Sequence, residues 1–372
     1  MKCKKYTLEE LVSIKYGKSQ KKVVSENGTI PIYGTGGQMG YATEFIYDKP
    51  SVLIGRKGTI SKVRYVEHPF WTVDTSFYTI VNTDIVIPKY LYYVMSQRDL
   101  NRYNEGTTIP SLRKETLNRL EFYIPSLEEQ KRILEFLEPI DNKIKINDII
   151  NNNLEQQISS IFVNMFGSAI DSLNNNDIKL GDLIESIDNR GKTPPLSKEP
   201  TFYPIIDVKA LSGNSRIIDY NNCTKYVSEE IYKTWFRNGH PTKYDILIST
   251  VGSIAEMKIF LDDIGCIAQN VVGFRTKGIS ALYLYQYLNY IKNDLVTYNI
   301  GSVQPSIKVT HIIKHSIYVA PQNKIDTFDN IAHSITEKIF ANYKENKRLK
   351  EIRDTFLPKL ISGELDISTI KL

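Results

Sequence analysis

The chain has few cysteines. Cys3, Cys223 and Cys266 are the only three in 372 residues, and no Cys-x₂-Cys pair occurs. An odd, widely spaced set excludes a disulfide scaffold and a thiolate zinc site, and fits free thiols in a reducing cytosol. The five histidines, His68, His240, His311, His315 and His333, show no zinc-ligand spacing either. Long hydrophobic runs are missing too: no stretch of ~18 uncharged apolar residues exists, the least a spanning helix needs. The opening Met1-Lys-Cys-Lys-Lys-Tyr6 leads into no hydrophobic run. Both absences argue against secretion and membrane insertion, so a cytoplasmic location is expected.

Catalytic motifs are equally sparse. Tyr33-Gly-Thr-Gly36 has the aromatic-x-Gly form of a turn that holds S-adenosylmethionine in methyltransferases. The motif expected downstream is Asn/Asp-Pro-Pro-aromatic, and Thr193-Pro-Pro-Leu196 lacks both the amide and the ring. Gly191-Lys-Thr193 is no phosphate loop, because Ser186 stands where the first glycine would be. Asp245 with Glu256-Met-Lys258 has nuclease-like spacing, a pattern that arises often by chance. No catalytic site and no metal site follow from the sequence.

What the chain does contain is a repeat. Gly106-Thr-Thr-Ile-Pro110-Ser111-Leu112 returns as Gly301-Ser-Val-Gln-Pro305-Ser306-Ile307, displaced by 195 residues. Ile54-Gly-Arg-Lys-Gly58-Thr-Ile60 returns as Ile248-Ser-Thr-Val-Gly252-Ser-Ile254, and Asp74-Thr75 falls opposite Gln269-Asn270. Leu8-Glu-Glu-Leu11 pairs with Leu180-Gly-Asp-Leu183 at a displacement of only 172, so the repeats differ in length near their starts. Between these landmarks the copies share little. A frame that persists while its filling diverges predicts one scaffold carrying two different binding surfaces, a pseudo-dimer suited to a ligand with two separated halves.

Length and composition suit two soluble domains of ordinary size. Charge is uneven: residues 1–125 hold 18 Lys and Arg against 12 Asp and Glu, whereas residues 126–167 hold 4 against 7. A basic first repeat is what a phosphate-contacting surface requires.

Residues 30–125 carry short β-type runs such as Ser51-Val-Leu-Ile54 and Phe77-Tyr-Thr-Ile-Val81, bounded by Gly, Pro and Asn. Helices are expected at Lys89–Met95 and Ala281–Leu288. After Pro125 the period changes. Ser126 and Glu129 form a capping box, and apolar residues recur at Ile133, Leu137, Ile140, Ile144, Ile150, Leu154, Ile158 and Ile161. Pro139 is expected to kink this helix or mark its start. A second seam follows Pro321, through Ile325, Phe328, Ile331, Ile335, Ile339, Leu349, Ile352, Phe356 and Leu360. Helices this long cannot bury such stripes alone, and antiparallel pairing with each other is the expected solution. The predicted fold is α+β: globular repeats at 1–125 and 168–320, separated by two long helices at 126–167 and 321–372 that form an antiparallel coiled coil.

The remaining polar, glycine-lined surface suits a nucleic-acid backbone. Tyr33, Gly36, Gly37, Gln38 and Tyr41 combine close approach, an amide and aromatic faces. Gln38 can read an adenine edge, and Arg56, Lys57, Arg113 and Lys114, beside Ser111, can sit on phosphate or guanine. Lys192, Thr250, Ser253, Gln304, Ser306 and Lys308 occupy comparable stations in the second repeat.

At these residues the chain resembles the specificity (S) subunit of type I restriction-modification systems over essentially its full length. The resemblance rests on Pro31-Ile-Tyr-Gly-Thr-Gly-Gly37, Val52-Leu-Ile-Gly-Arg-Lys-Gly-Thr-Ile60, Gly106-x₃-Pro110-Ser-Leu112 and Ile124-Pro-Ser-Leu-Glu-Glu-Gln130. Its most specific string is Leu349-Lys-Glu-Ile-Arg-Asp-Thr-Phe-Leu-Pro-Lys-Leu-Ile-Ser-Gly-Glu-Leu365. It implies two target recognition domains, each reading half of a bipartite double-stranded DNA site, and a helix pair that sets the gap and binds two methyltransferase (M) subunits. It implies no catalysis by this chain: S-adenosylmethionine chemistry would belong to M, and ATP- and Mg²⁺-dependent cleavage to the restriction (R) subunits. Tyr33–Tyr41 and Arg56–Gly58 match the family's motifs in the first domain, and Leu247–Ile254 with Gly301–Ile307 in the second. Ser249-Thr-Val replaces Gly55-Arg-Lys in the second copy, and Pro321-Gln-Asn-Lys lacks the Leu-Glu-Glu-Gln helix start. The competing readings are a stand-alone nuclease or methyltransferase and a coiled-coil assembly protein.

Overall fold

The apolar runs bounded by Gly, Pro and Asn form strands, and they do so twice in the same order. The computed structural model describes residues 2–172, 178–191 and 193–365. The chain divides into two compact units, Met1–Lys143 with Arg348–Leu372, and Ile144–Lys347.

In unit 1 the strands are β1 (Cys3–Thr7), β2 (Val12–Tyr16), β3 (Ile30–Gly34), β4 (Gly37–Ala42), β5 (Ser51–Gly55), β6 (Val63–Val66), β7 (Trp71–Thr72), β8 (Ser76–Val81) and β9 (Glu121–Pro125). One sheet has the order β2-β8-β5-β6 and a second β4-β3-β7, with β3 and β7 parallel. Every residue of β5 is buried, which explains why it reads as a continuous apolar run and not an alternation. The helix Pro88–Ser96 starts on a proline whose fixed φ suits a first turn, and buries Tyr90, Leu91, Tyr93, Val94 and Met95.

Unit 2 contains β10 (Ile184–Ile187), β11 (Tyr203–Ile206), β12 (Tyr226–Val227), β13 (Ile246–Ser249), β14 (Met257–Ile259), β15 (Cys266–Ile267) and β16 (Val271–Thr276). Its sheets run β10-β16-β13-β14 and β12-β11-β15, again with one parallel pair, β11 and β15. The registers repeat as well as the order. Val12 faces Val81 and Ile184 faces Thr276; Ile54 faces Val63 and Ile248 faces Met257. These partners differ by the displacements of 172 and 194–195 read from the sequence.

The copies part company at one edge. In unit 1, β3 and β4 are joined by the tight Thr35-Gly36 turn. In unit 2, β11 and β12 are separated by residues 207–225, which hold a short helix, Val208–Leu211, and a 3₁₀ turn, Tyr220–Asn222.

The first long helix is Leu127–Phe162, about 54 Å at ~1.5 Å per residue, and the second is Gln322–Ser362, about 62 Å. Gln130, fully buried, fixes the start of the first: its amide accepts from the Ile87 N–H (2.8 Å) and donates to the carbonyls of Ile85 and Pro125. The helices run antiparallel within each unit. In unit 1 Phe136 packs edge-on against Phe356 and Asp141 accepts from Arg353 (2.9 Å). In unit 2 Asn147 meets Asn346 and Asn151 meets Asn342.

Ile133, Leu137, Ile144, Ile158, Ile325, Phe328, Ile339 and Leu360 are buried, and Ile140, Leu154, Ile161, Ile335, Leu349, Ile352 and Phe356 are half-buried. Two expected seam positions are corrected: Ile150 and Ile331 are exposed, because Asn147, Asn151 and Ala332 take the inward stations there. Part of the seam serves the globular core as well. Phe162 packs on Tyr283 and Phe328. Pro139 neither starts nor ends the helix; it is exposed, and the buried Leu137 and Ile144 anchor the helix on either side. Among the described residues, no helix is long and apolar enough to cross a membrane.

Candidate nucleic-acid interface

The repeated Gly-x₃-Pro-Ser turn is a rigid loop docked on a strand end. In unit 1 the Asn104 Oδ1 accepts from the N–H groups of Gly106 and Ser111, both at 2.9 Å. In unit 2 the Asn299 Oδ1 accepts from Gly301 (3.0 Å) and Ser306 (2.9 Å). Each loop folds so tightly that a Cβ on its glycine would lie 1.9 Å from the Ile109 carbonyl oxygen or 1.8 Å from that of Gln304. Only glycine fits either place.

The loop then clamps the segment after the central strand. Gly58 N–H donates to Pro110 and Leu112 N–H to Arg56, while Arg56 and Lys57 donate to the Thr75 carbonyl. The second copy repeats this with Gly252 to Pro305, Ile307 to Thr250, and Thr250 to Asn270. Gly58 and Gly252 sit at φ +91° and +89°, the left-handed region that the turn requires. Arg56, Lys57 and Ser111 are thereby brought together in unit 1, with Lys57 bridged to Ser111 along the backbone.

Beside this clamp in unit 1 lies the glycine hairpin. Gly34 to Met39, with Gln20 and Val73 to Thr75, line one open groove. Gln38 is exposed on it, as is Gly36 at the turn, and Tyr41 is exposed further along β4, outside the groove lining. Tyr33 is buried; its hydroxyl lies 3.3 Å from His68 Nε2, and burial raises its phenol above the ordinary value. Arg64 lies over the Tyr33 ring at 5.7 Å, and a Cβ on Gly37 would come within 3.2 Å of its guanidinium. Arg64 is exposed, and Arg56 leans on the Tyr16 ring with its buried Nε unpartnered. Guanidinium groups held over aromatic rings, next to backbone that another chain can approach closely, suit phosphate and base contact.

Other expected contacts are placed differently. Arg113 is paired with Glu105 at 3.0 Å, and Lys114 is half-buried at the start of the helix Lys114–Asn118. Thr250 is buried, and its hydroxyl lies 3.2 Å from the Asn270 carbonyl; it holds the clamp and presents nothing to a ligand, a correction to its expected role. Ser253, Gln304 and Lys308 are exposed and Ser306 is half-buried in its bridge to Val251. Lys192 lies outside the described residues.

The nuclease-like acids and lysine are each committed to structure. Asp245 accepts from Arg275 (2.7 Å), Glu256 pairs with Lys292 (3.1 Å), and Lys258 donates to the carbonyls of Gly213 and Ser215. Among the described residues, no group of three His, Cys, Asp or Glu is placed to hold a metal ion. Sequence reasoning missed Asn104 and Asn299, although their Asn-x-Gly spacing repeats at the same displacement of 195. It also missed Arg64, for which no local signal exists, since packing between two sheets sets it over the Tyr33 ring.

The model of the type I restriction modification DNA specificity domain matches residues 2–156 and 173–352, one match in each repeat. The chain is 25% identical over 360 residues to the type I restriction enzyme MjaIX specificity subunit of Methanocaldococcus jannaschii, covering 87% of this chain and 80% of that one. It is 25% identical over 381 residues to the HindI specificity subunit of Haemophilus influenzae, covering 79% and 81%. The crystal structure of a type I restriction-modification S subunit from M. genitalium shares the fold, with a TM-score of 0.58 at 19% identity over 97% of this chain and 96% of that one. With both repeats matched and the frame duplicated strand by strand, this chain belongs to the type I restriction-modification DNA specificity family.

Proposed function

We propose that this chain reads an asymmetric, bipartite site on double-stranded DNA, unit 1 taking one half and unit 2 the other. It places two methyltransferase (M) subunits and the restriction (R) subunits on that site, in the cytoplasm. The observation that carries this reading is a common frame with unlike edges: the same strand order and the same Asn-locked turn, but a glycine hairpin in one unit and residues 207–225 in the other. Two unlike edges support two unlike half-sites. The chain's own part is recognition; S-adenosylmethionine chemistry on adenine is assigned to M, and ATP and Mg²⁺ to R. Arg56, Lys57 and Arg64 supply phosphate contacts in unit 1, so binding is expected to fall steeply with salt.

The test is adenine methylation across the host genome by long-read sequencing, with the gene intact and deleted. Deletion should remove one asymmetric bipartite motif and no other. If every motif survives while the partner subunits are active, the reading is wrong.

A further inference from the structure

The helix pair is apolar along most of its seam, but not in unit 2 between Ile144 and Ile158. There Asn147, Asn342 and Asn346 are buried and Asn151 is half-buried. Asn147 Nδ2 donates to Asn346 Oδ1 (2.9 Å) and Glu345 Oε2 (2.7 Å), and Asn346 Nδ2 donates to Asp148 Oδ1 (2.8 Å). One turn further on, Asn342 Nδ2 donates to Asn151 Oδ1 (2.8 Å). Two amide layers thus cross the seam, four residues apart on both helices.

Buried amides are costly unless partnered, so these layers restrict how one helix can slide along the other. A slip of one to three residues parts Asn147 from Asn346 and brings no other asparagine opposite either. A slip of four, one helical turn, re-forms a single layer, since Asn147 would then oppose Asn342 or Asn151 oppose Asn346. We infer that Asn147, Asn151, Asn342 and Asn346 are a register key that fixes the gap between the two half-sites of the DNA target. They would then be specificity-determining residues although they touch no DNA. This rests on the bipartite reading proposed above.

The test uses this chain assembled with its methyltransferase subunits. The substrate is a DNA library that keeps both half-sites, taken from the wild-type methylation pattern, and varies the gap one base pair at a time. Wild type should methylate one gap length. Asn147→Leu with Asn346→Leu should methylate neighbouring gaps as well, its preference for the best gap falling about tenfold or more, with the half-site bases unchanged. An undiminished preference overturns the inference, and so does complete loss of methylation by a folded complex. Should the double variant not fold, Asn342→Leu keeps the first layer and leaves Asn151 partly open to water. Its preference should fall about threefold, and no fall overturns the inference. A wild-type complex that methylates no library member would count against the DNA-reading function itself, not against the register key.

Discussion

Arg216 and Glu155 form a buried, two-pronged ion pair. Arg216 Nε lies 3.1 Å from both carboxylate oxygens and Nη2 lies 2.8 Å from one, while the Arg216 backbone N–H donates to Glu155 at 2.7 Å. The remaining nitrogen, Nη1, donates to Thr336 on the second long helix (2.7 Å), and Arg216 is 1% exposed. The divergent segment of unit 2 is therefore anchored to both helices by one side chain. Removing one partner of such a pair leaves a buried charge uncompensated. Arg216→Met is expected to destabilise unit 2 by about 3 kcal/mol in chemical denaturation, and Arg216→Met with Glu155→Leu by clearly less. Equal losses in the single and double variants would show that packing, not charge pairing, makes the anchor.

The Asn-locked turns predict effects confined to one half-site. Asn104→Ala removes two acceptor bonds in unit 1, and Asn299→Ala removes their counterparts in unit 2. Each should cost about 1–2 kcal/mol of stability, and each should relax base discrimination in one half of the target only. Gly106→Ala and Gly301→Ala should be more damaging, since a Cβ has no room. Methylation of duplexes with single-base changes in either half separates the outcomes. Relaxation of both halves by either asparagine variant would mean that the turns do not act on separate half-sites.

How far this architecture is legible in the sequence depends on whether a feature is local. Gly106 with Pro110, and Gly301 with Pro305, signal their turns because backbone geometry demands those residues. The displacements of 172 and 195 recover the strand registers because the frame tolerates few insertions. Helices expected at Lys89–Met95 and Ala281–Leu288 are found at Pro88–Ser96 and Ala281–Tyr290. Periodicity failed at Ile150, beside which Asn147 and Asn151 turn inward, and at Ile331, beside which the small Ala332 does; polarity alone does not mark a residue as outward-facing. Arg64 over Tyr33, and Arg216 on Glu155, join residues 31 and 61 positions apart through tertiary packing that no motif encodes.

Lys258 gives a prediction in pH. Its Nζ is buried, donates to the Gly213 carbonyl at 2.7 Å and to that of Ser215, and burial pushes its pKa down to about 8 from 10.5. The folded chain thus releases this proton before the unfolded chain does. From about pH 8 to about 10.5 the unfolded state binds more protons, so this group's contribution to stability rises with pH, by up to about 3 kcal/mol. Below pH 8 the cost of the buried charge is present in full. Denaturation of wild type and Lys258→Met at pH 7.5, 9 and 10, as about three points across that window, measures it. The difference between them should shift in favour of wild type as pH rises, and a constant difference would mean that Lys258 titrates normally.

The helix pair gives a prediction in length. Four residues inserted after Asn153 add one helical turn, about 6 Å, and keep the faces of the helix in phase. Because the amide layers repeat every four residues on both helices, Asn151 then takes the station of Asn147 opposite Asn346, and one layer survives. The methylated motif should keep both half-sites and widen its gap by about one to two base pairs. Two inserted residues instead rotate the upstream faces by about 200° and set Ile149 against the buried Asn346, so methylation should be lost or greatly reduced. The contrast between two and four is what a helical ruler demands, and a flexible linker would tolerate both insertions alike.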